Sequence, residues 1–320
     1  MANKKISQLT QITSANAITD ILPIVDSSLN QTNKITIAKL PMSASATARS
    51  YPYTIDFQSG ARQTRELTNQ TLNFNSNLNL QSIYIGGNIT SILSGAFYNC
   101  TSLTSVTIPN SVTSIAADAF RNCSSLTSIT IPGGVTSIGI QAFNNCINLT
   151  SITIPDSVTS IGAGTFNQCT SLTSITIPEG VTSIGSYAFY YCTSLTSITI
   201  PEGVTSIGLA AFASCTNLTS FTIPDSVTSI GDSAFVACSS LTSITIPDSV
   251  ASIGDGAFNQ CTSLSTIISL AASAPALVGS NHFSGTTAAT TITVPKNSTT
   301  SYQTAGNGTT YGGLQIVEAS

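Results

Sequence analysis

One phrase of 23 residues returns from Phe74 to about Ile268, and it leaves this chain few ways to fold. All eight cysteines keep the period, at Cys100, Cys123, Cys146, Cys169, Cys192, Cys215, Cys238 and Cys261. Eight phenylalanines keep it too, each three residues before its cysteine: Phe97, Phe120, Phe143, Phe166, Phe189, Phe212, Phe235 and Phe258. Self-similarity at such a period means a solenoid, because one copy cannot bury its apolar face except against its neighbours. A solenoid adds core by adding coils, so a chain of 320 residues need not divide into two globules.

Within a copy the apolar positions fall into three short runs. Leu103, Val106 and Ile108 end in period-2 alternation, which predicts a strand; Val112 and Ile115 predict a second extended edge. The spacing Ala119-Phe120-x-x-Cys123 predicts a single helical or 3-10 turn. Stacked coils place equivalent residues about 4.8 Å apart with parallel Cβ vectors, whereas a disulfide turns its two Cβ atoms toward each other at about 3.8 Å. The cysteines are therefore expected to form a ladder of free, buried thiols, neither disulfides nor a metal site. A zinc site would need converging ligands, and the one histidine, His282, lies outside the ladder, where lid packing or surface is expected. The first copy is already degenerate, with Phe74 in register and Asn77 in the cysteine place.

The run Cys169-Thr-Ser-Leu172-Thr-Ser-Ile175-Thr-Ile177-Pro178, then Val181-Thr-Ser-Ile184-Gly185, then Ala188-Phe189-x-x-Cys192 closely resembles the BspA-type leucine-rich repeat. That resemblance implies a leucine-rich-repeat solenoid over residues 74–269, β-rich, with one short turn per copy. Departures are few: Gly86 stands for Pro, Ala116 for Gly, Thr165 for Ala and Phe221 for Ile. The stretch from Ile292-Thr-Val-Pro295 through Tyr302 to Leu314-Gln-Ile316-Val317 resembles the closing segment of such proteins, which implies a C-terminal cap over residues 270–320.

Residues 1–40 read as a separate small β unit, with strands expected at Ile21–Val25 and Lys34–Ala38 and too few apolar residues for a core. Residues 41–73 read as a Ser/Ala-rich linker followed by a cap over the first coil. The opening Lys-Ile6-Ser-Gln-Leu9, Thr19-Asp20-Ile-Leu22-Pro23-Ile-Val25-Asp26 and Lys34-Ile35-Thr36 resembles N-terminal segments of tailed-phage virion proteins, tail and head fibres above all. This implies docking onto other virion proteins through residues 1–40, assembly as a homo-oligomer such as a trimer, and residence in a virion built in the host cytoplasm. The opening lacks the apolar core of a secretory signal, so secretion by that route and membrane insertion are not expected.

Charge narrows the function classes. Residues 1–73 carry seven Lys/Arg and four Asp/Glu, a net of +3, while residues 74–269 set Arg121 against eight acids, a net of −7. A surface with so few cations cannot neutralise phosphates, which excludes nucleic acid as a partner. The acids after Pro155, Pro178, Pro201, Pro224 and Pro247 stand singly and read as a solvated stripe, with no loop behind them for calcium. No serine has a base beyond His282, no phosphate loop is present, and neither enzyme activity nor a cofactor is expected.

Two surfaces stand out as binding candidates. With Val106 and Ile108 inward, Ser105 and Thr107 point out, and the pair recurs at Ser128/Thr130, Ser151/Thr153, Ser174/Thr176 and Ser197/Thr199. This predicts a neutral hydroxyl face, suited to a host-surface glycan or protein and, less directly, to ordered water. Tyr187, Tyr190 and Tyr191 crowd into one copy where other copies hold small or polar residues. The sequence reading is an adhesive phage virion protein displaying a solenoid to a host; the alternative is a BspA-like surface adhesion protein of a bacterium or protist.

Overall fold

The computed structural model describes residues 72–289, 291–306 and 308–320, together with the backbone of the strands Tyr53–Phe57 and Arg62–Arg65. The adaptor and virion contacts expected of residues 1–40, and the linker 41–50, lie outside the described residues.

From Leu72 onward the chain winds as a stack of coils, most of them one repeat each. The Ser-Ile-Thr segments form short strands that pair in parallel and in register with their equivalents one repeat on: Ser174 opposite Ser197, Ile175 opposite Ile198, Thr176 opposite Thr199. The same pairing joins Ser82 to Ser105 and Ser128 to Ser151. A second parallel ribbon follows the Val-Thr-Ser-Ile edge, Ser91 to Ser114 to Ser137, and then through the bridges Ile138–Ile161, Ile161–Ile184 and Ile184–Ile207. In-register pairing follows from sequence identity: a one-residue slip would turn every inward isoleucine to solvent.

The interior is a set of like side chains lying over one another. Ten phenylalanine rings, from Phe74 to Phe283, form one column with centroids 5.1–5.7 Å apart and planes within 15° of parallel. That separation exceeds the strand spacing, so the rings are offset, as their quadrupoles prefer. Phe221, standing where other copies carry isoleucine, meets Phe212 and Phe235 edge-on at 4.9 and 4.7 Å. Every Phe of the column from Phe97 to Phe258, every cysteine and every leucine of the Leu103 register is fully buried.

The Ala-Phe-x-x-Cys segment is a string of turns where a helical or 3-10 turn was expected. Its residues two before and two after the phenylalanine have left-handed backbone, for example Asp118 at φ 56° and Asn122 at φ 62°. Those positions alternate the amide directions. In the Phe189 coil, Ala188, Tyr190 and Cys192 donate within the coil to Gly185, Tyr187 and Phe189. Tyr187, Phe189 and Tyr191 donate to Leu209, Ala211 and Ala213 of the next coil, at 2.7–2.8 Å. Every amide of this corner is thus satisfied without a helix, half of them by the neighbouring coil.

Stacking continues past Ile268. Phe283 lies on Phe258 although 25 residues separate them, and Thr286 stands three residues after Phe283, in the cysteine place. The strand ribbon runs on through Thr266–Ser269 and Thr291–Val294 to Leu314–Glu318, closed by Thr310–Tyr311 antiparallel to it. The one helix among the described residues, Thr299–Ala305, anchors through Tyr302, whose hydroxyl donates to the Ala271 carbonyl at 2.8 Å beside Ser269 Oγ. At the other end Tyr53–Phe57 pairs antiparallel with Leu80–Tyr84, Ile55 opposite Ile83.

Candidate binding surface

Several serine and threonine columns turn their hydroxyls onto neighbouring coils. The threonine after the inward leucine turns its hydroxyl onto the carbonyl of its equivalent one coil back: Thr104 to Gln81 at 2.9 Å, Thr150 to Thr127 at 3.1 Å, Thr196 to Thr173 at 3.3 Å. The threonine after the inward valine does the same, Thr113 to Thr90 and Thr228 to Thr205 at 3.2 Å. Serines before that valine donate to the coil behind, as Ser111 Oγ to Ile89 and Ser226 Oγ to Val204, both at 2.6 Å. These hydroxyls are structural: they cross-link neighbouring coils where a valine could not.

The strand-face hydroxyls differ, as do serines of the second ribbon such as Ser137 and Ser160, which among the described residues are exposed without a side-chain hydrogen bond. Ser105, Thr107, Ser128, Thr130, Ser151, Thr153, Ser174, Thr176, Ser197 and Thr199 are all exposed and flank a buried residue in each strand. Ser220, Thr222, Ser243 and Thr245 extend the two columns. Among the described residues none of these side chains has a hydrogen-bond partner within the protein. Parallel pairing sets successive serines and successive threonines about 4.8 Å apart, and the two columns lie two residues apart along each strand. The face carries no charge from Ser105 to Thr245 and presents donors and acceptors alike.

The structure does not bring the tyrosines onto this face. Tyr187, Tyr190 and Tyr191 lie at the left-handed phenylalanine corner, Tyr187 and Tyr191 exposed and Tyr190 half-buried. Their rings touch: Tyr187 to Tyr190 edge-on and Tyr190 to Tyr191 tilted, both at 5.9 Å. Nearby, Leu209 and Ile140 expose apolar side chains that sequence reasoning did not single out, because they occupy a column that elsewhere holds Ser, Ala and Asp.

The thiols offer no chemistry. Each donates to the carbonyl of a phenylalanine one coil back, Cys123 to Phe97 and Cys215 to Phe189, at 3.1 and 3.2 Å. Burial pushes all eight up, Cys100 to about 11 and Cys146 and Cys261 to about 12, against a smaller opposing pull from backbone hydrogen bonds. A thiol that far from ionising is neither nucleophile nor ligand at neutral pH. His282 is buried in the last coil with Nε2 3.0 Å from the Val278 carbonyl, a packing role. The acids Asp156, Glu179, Glu202, Asp225 and Asp248 are exposed in one column. Among the described residues no three His, Cys, Asp or Glu side chains converge to hold a metal, and no helix is long and apolar enough to cross a membrane.

Residues 70–309 match the family described as BspA type leucine rich repeat region, in two overlapping stretches, 70–196 and 182–309. The chain belongs to that family of leucine-rich-repeat solenoids. Among solved structures it is similar to a leucine rich cell surface protein from Faecalibacterium prausnitzii, 34% identical over 60% of this chain and 60% of that one, TM-score 0.44. It is also similar to the leucine-rich-repeat protein of T. pallidum, 27% identical over 65% of this chain and 83% of that one, TM-score 0.40. The chain thus spans less than two thirds of the Faecalibacterium protein. No curated protein sequence matches it significantly.

Proposed function

We propose that this chain is a non-enzymatic adhesive display protein, whose coil stack presents the Ser/Thr columns of the strand face to a glycan or protein on a host surface. One observation carries the reading: the threonines after the inward leucine and valine turn their hydroxyls onto neighbouring coils, while the two strand-face columns, Ser105 to Ser197 and Thr107 to Thr199, are exposed and unpaired. A flat, rigid, uncharged face with regularly spaced donors and acceptors suits a partner that itself presents repeated hydroxyls or amides. Rigidity helps, since side chains already ordered by the sheet lose little entropy on binding.

Mounting on a phage particle is a second reading and rests on the sequence of residues 1–40 alone. Mass spectrometry of purified particles separates the two: recovery of the chain in virions supports particle mounting, and recovery only in a cell-envelope fraction supports a bacterial surface protein.

Binding of the full chain to a printed glycan array and to intact host cells, beside the variant Thr107→Lys/Thr153→Lys/Thr199→Lys with its lysines on alternate coils, tests the face itself. The lysines change the face without touching the core, so the variant should keep its melting temperature and lose at least about tenfold in binding. Unchanged binding by the variant would remove the strand face as the adhesive surface.

A further inference from the structure

One coil departs from the rest at its left-handed corner. In coil after coil the residues two before and two after the phenylalanine have positive φ, and they are Asn, Asp, Gln, Ser, Ala or Gly except at Tyr187 and Tyr191, at φ 58° and 61°. Asparagine and glycine suit that conformation; a bulky aromatic is strained in it. The fold gains no burial in return, because Tyr187 is 41% and Tyr191 46% exposed. Two strained, exposed aromatics in one coil are the kind of outlier that accompanies binding.

The surroundings say what would bind. Tyr187 has the small residues Gly164 at its register one coil before and Ala210 one coil after, and its ring is partly exposed beside Tyr190. Tyr191 has Gln168 and Ser214 at its register one coil before and one coil after, an amide-bearing and a hydroxyl-bearing residue. Tyr190 sits between the two, 5.9 Å from each, and fixes the ridge. One coil before Tyr190, the side-chain oxygen of Asn167 is closed off from solvent without a hydrogen-bond partner. Arg121 is the one cation from residue 74 to residue 269, and the acids of these coils, Glu179 and Glu202, belong to the stripe after the prolines. The site therefore combines a ridge of partly exposed aromatic rings, neutral hydrogen-bonding groups and no fixed charge.

We propose that Tyr187, Tyr190 and Tyr191 form a carbohydrate-stacking site for a neutral glycan, distinct from the strand face. The C–H faces of a pyranose pack on the open rings, and Gln168 and Ser214 reach its hydroxyls. Tyrosine is suited to the task because it offers a large amphipathic surface for the loss of two rotors. A phosphorylated or sulfated sugar would find no cation here.

The test uses the full chain in affinity gel electrophoresis through dextran, mannan, soluble starch and β-glucan, with tyrosine emission as a second readout, since the chain has no tryptophan. Retardation by at least one of these neutral polysaccharides is expected, with a change in tyrosine emission. Tyr187→Asn/Tyr191→Asn should lose at least tenfold in affinity while its melting temperature rises, because asparagine relieves the strain. Tyr187→Phe/Tyr191→Phe should stay within about threefold of the wild type, since the ring faces remain. Asp156→Asn/Glu179→Gln, on the exposed acidic stripe, should bind these polysaccharides as the wild type does, which ties the loss to the tyrosine corner and leaves the strand face untouched. Absence of retardation by all four polysaccharides would overturn the proposal, as would equal retardation of the asparagine variant; so would a site that captures only protein.

Discussion

The thiol of Cys192 donates to the carbonyl of Phe166, 26 residues upstream and 3.2 Å away. That carbonyl also receives the amide of Cys169 at 3.1 Å, so each phenylalanine carbonyl is held by its own coil and by the next. The arrangement ties coils together at a point where the main chain alone would leave a lone pair unused. Cys192→Ala removes the sulfur and its donor and should cost about 1–3 kcal/mol in a denaturant titration. Cys100→Ala, at the less enclosed first thiol, should cost less.

Alkali should unfold this protein sharply. Burial pushes the folded thiols up, Cys100 to about 11 and Cys146 and Cys261 to about 12, whereas the unfolded thiols ionise near 9.0. Above that lower value the unfolded state binds fewer protons than the folded one, so stability falls as pH rises and is fully present below it. At pH 10 each thiol contributes on the order of 1 kcal/mol of destabilisation, and all eight are shifted in the same direction. Circular dichroism should show a flat baseline from pH 6 to 8.5 and a cooperative loss between about pH 9 and 11.

Gly208 marks how closely the coils approach. A Cβ at this position would lie 2.6 Å from the Ser186 amide nitrogen and 2.8 Å from the Gly185 carbonyl carbon, both main-chain atoms that cannot swing aside. Gly208→Ala should therefore destabilise by about 1–3 kcal/mol, against the usual gain for such a change. Thermal unfolding of the single variant is the check.

Two threonines three residues apart should behave differently. Thr196 spends its hydroxyl on the Thr173 carbonyl, whereas Thr199 faces solvent without a protein partner. Thr196→Val should cost about 0.5–1.5 kcal/mol, and Thr199→Val should change stability by less than about 0.5 kcal/mol. Equal costs would contradict the division of hydroxyls into structural and free.

Most of this architecture can be read from residue spacing, and the parts that cannot have physical reasons. Val106, Ile108 and their equivalents alternate as a half-buried strand must, so the outward direction of Ser105 and Thr107 follows directly. The phenylalanine corner misleads because Phe120 and Cys123 sit at helical spacing, yet Asp118 and Asn122 turn left-handed between the coils. A signal was present, since Asn99, Asn122, Asn145, Gly95, Gly164 and Gly256 are residue types that tolerate positive φ. Tyr187 and Ala210 at the same register dilute it. Past Cys261 the period slips by two residues and threonine takes the cysteine place, so counting stops there while the Phe258–Phe283 stack does not. The separation of the tyrosine corner from the strand face is a property of how each coil closes.

All of these inferences depend on coils lying in register, like side chain over like, so that eight sulfurs form one sealed ladder. Counting the thiols of the native, full-length chain with a disulfide-exchange reagent, before and after denaturant, tests this most directly. The account predicts none reacting in the folded protein and all eight in denaturant, without prior reduction. Rapid reaction of several thiols in the native protein, or fewer than eight after denaturation because some are cross-linked, would contradict it.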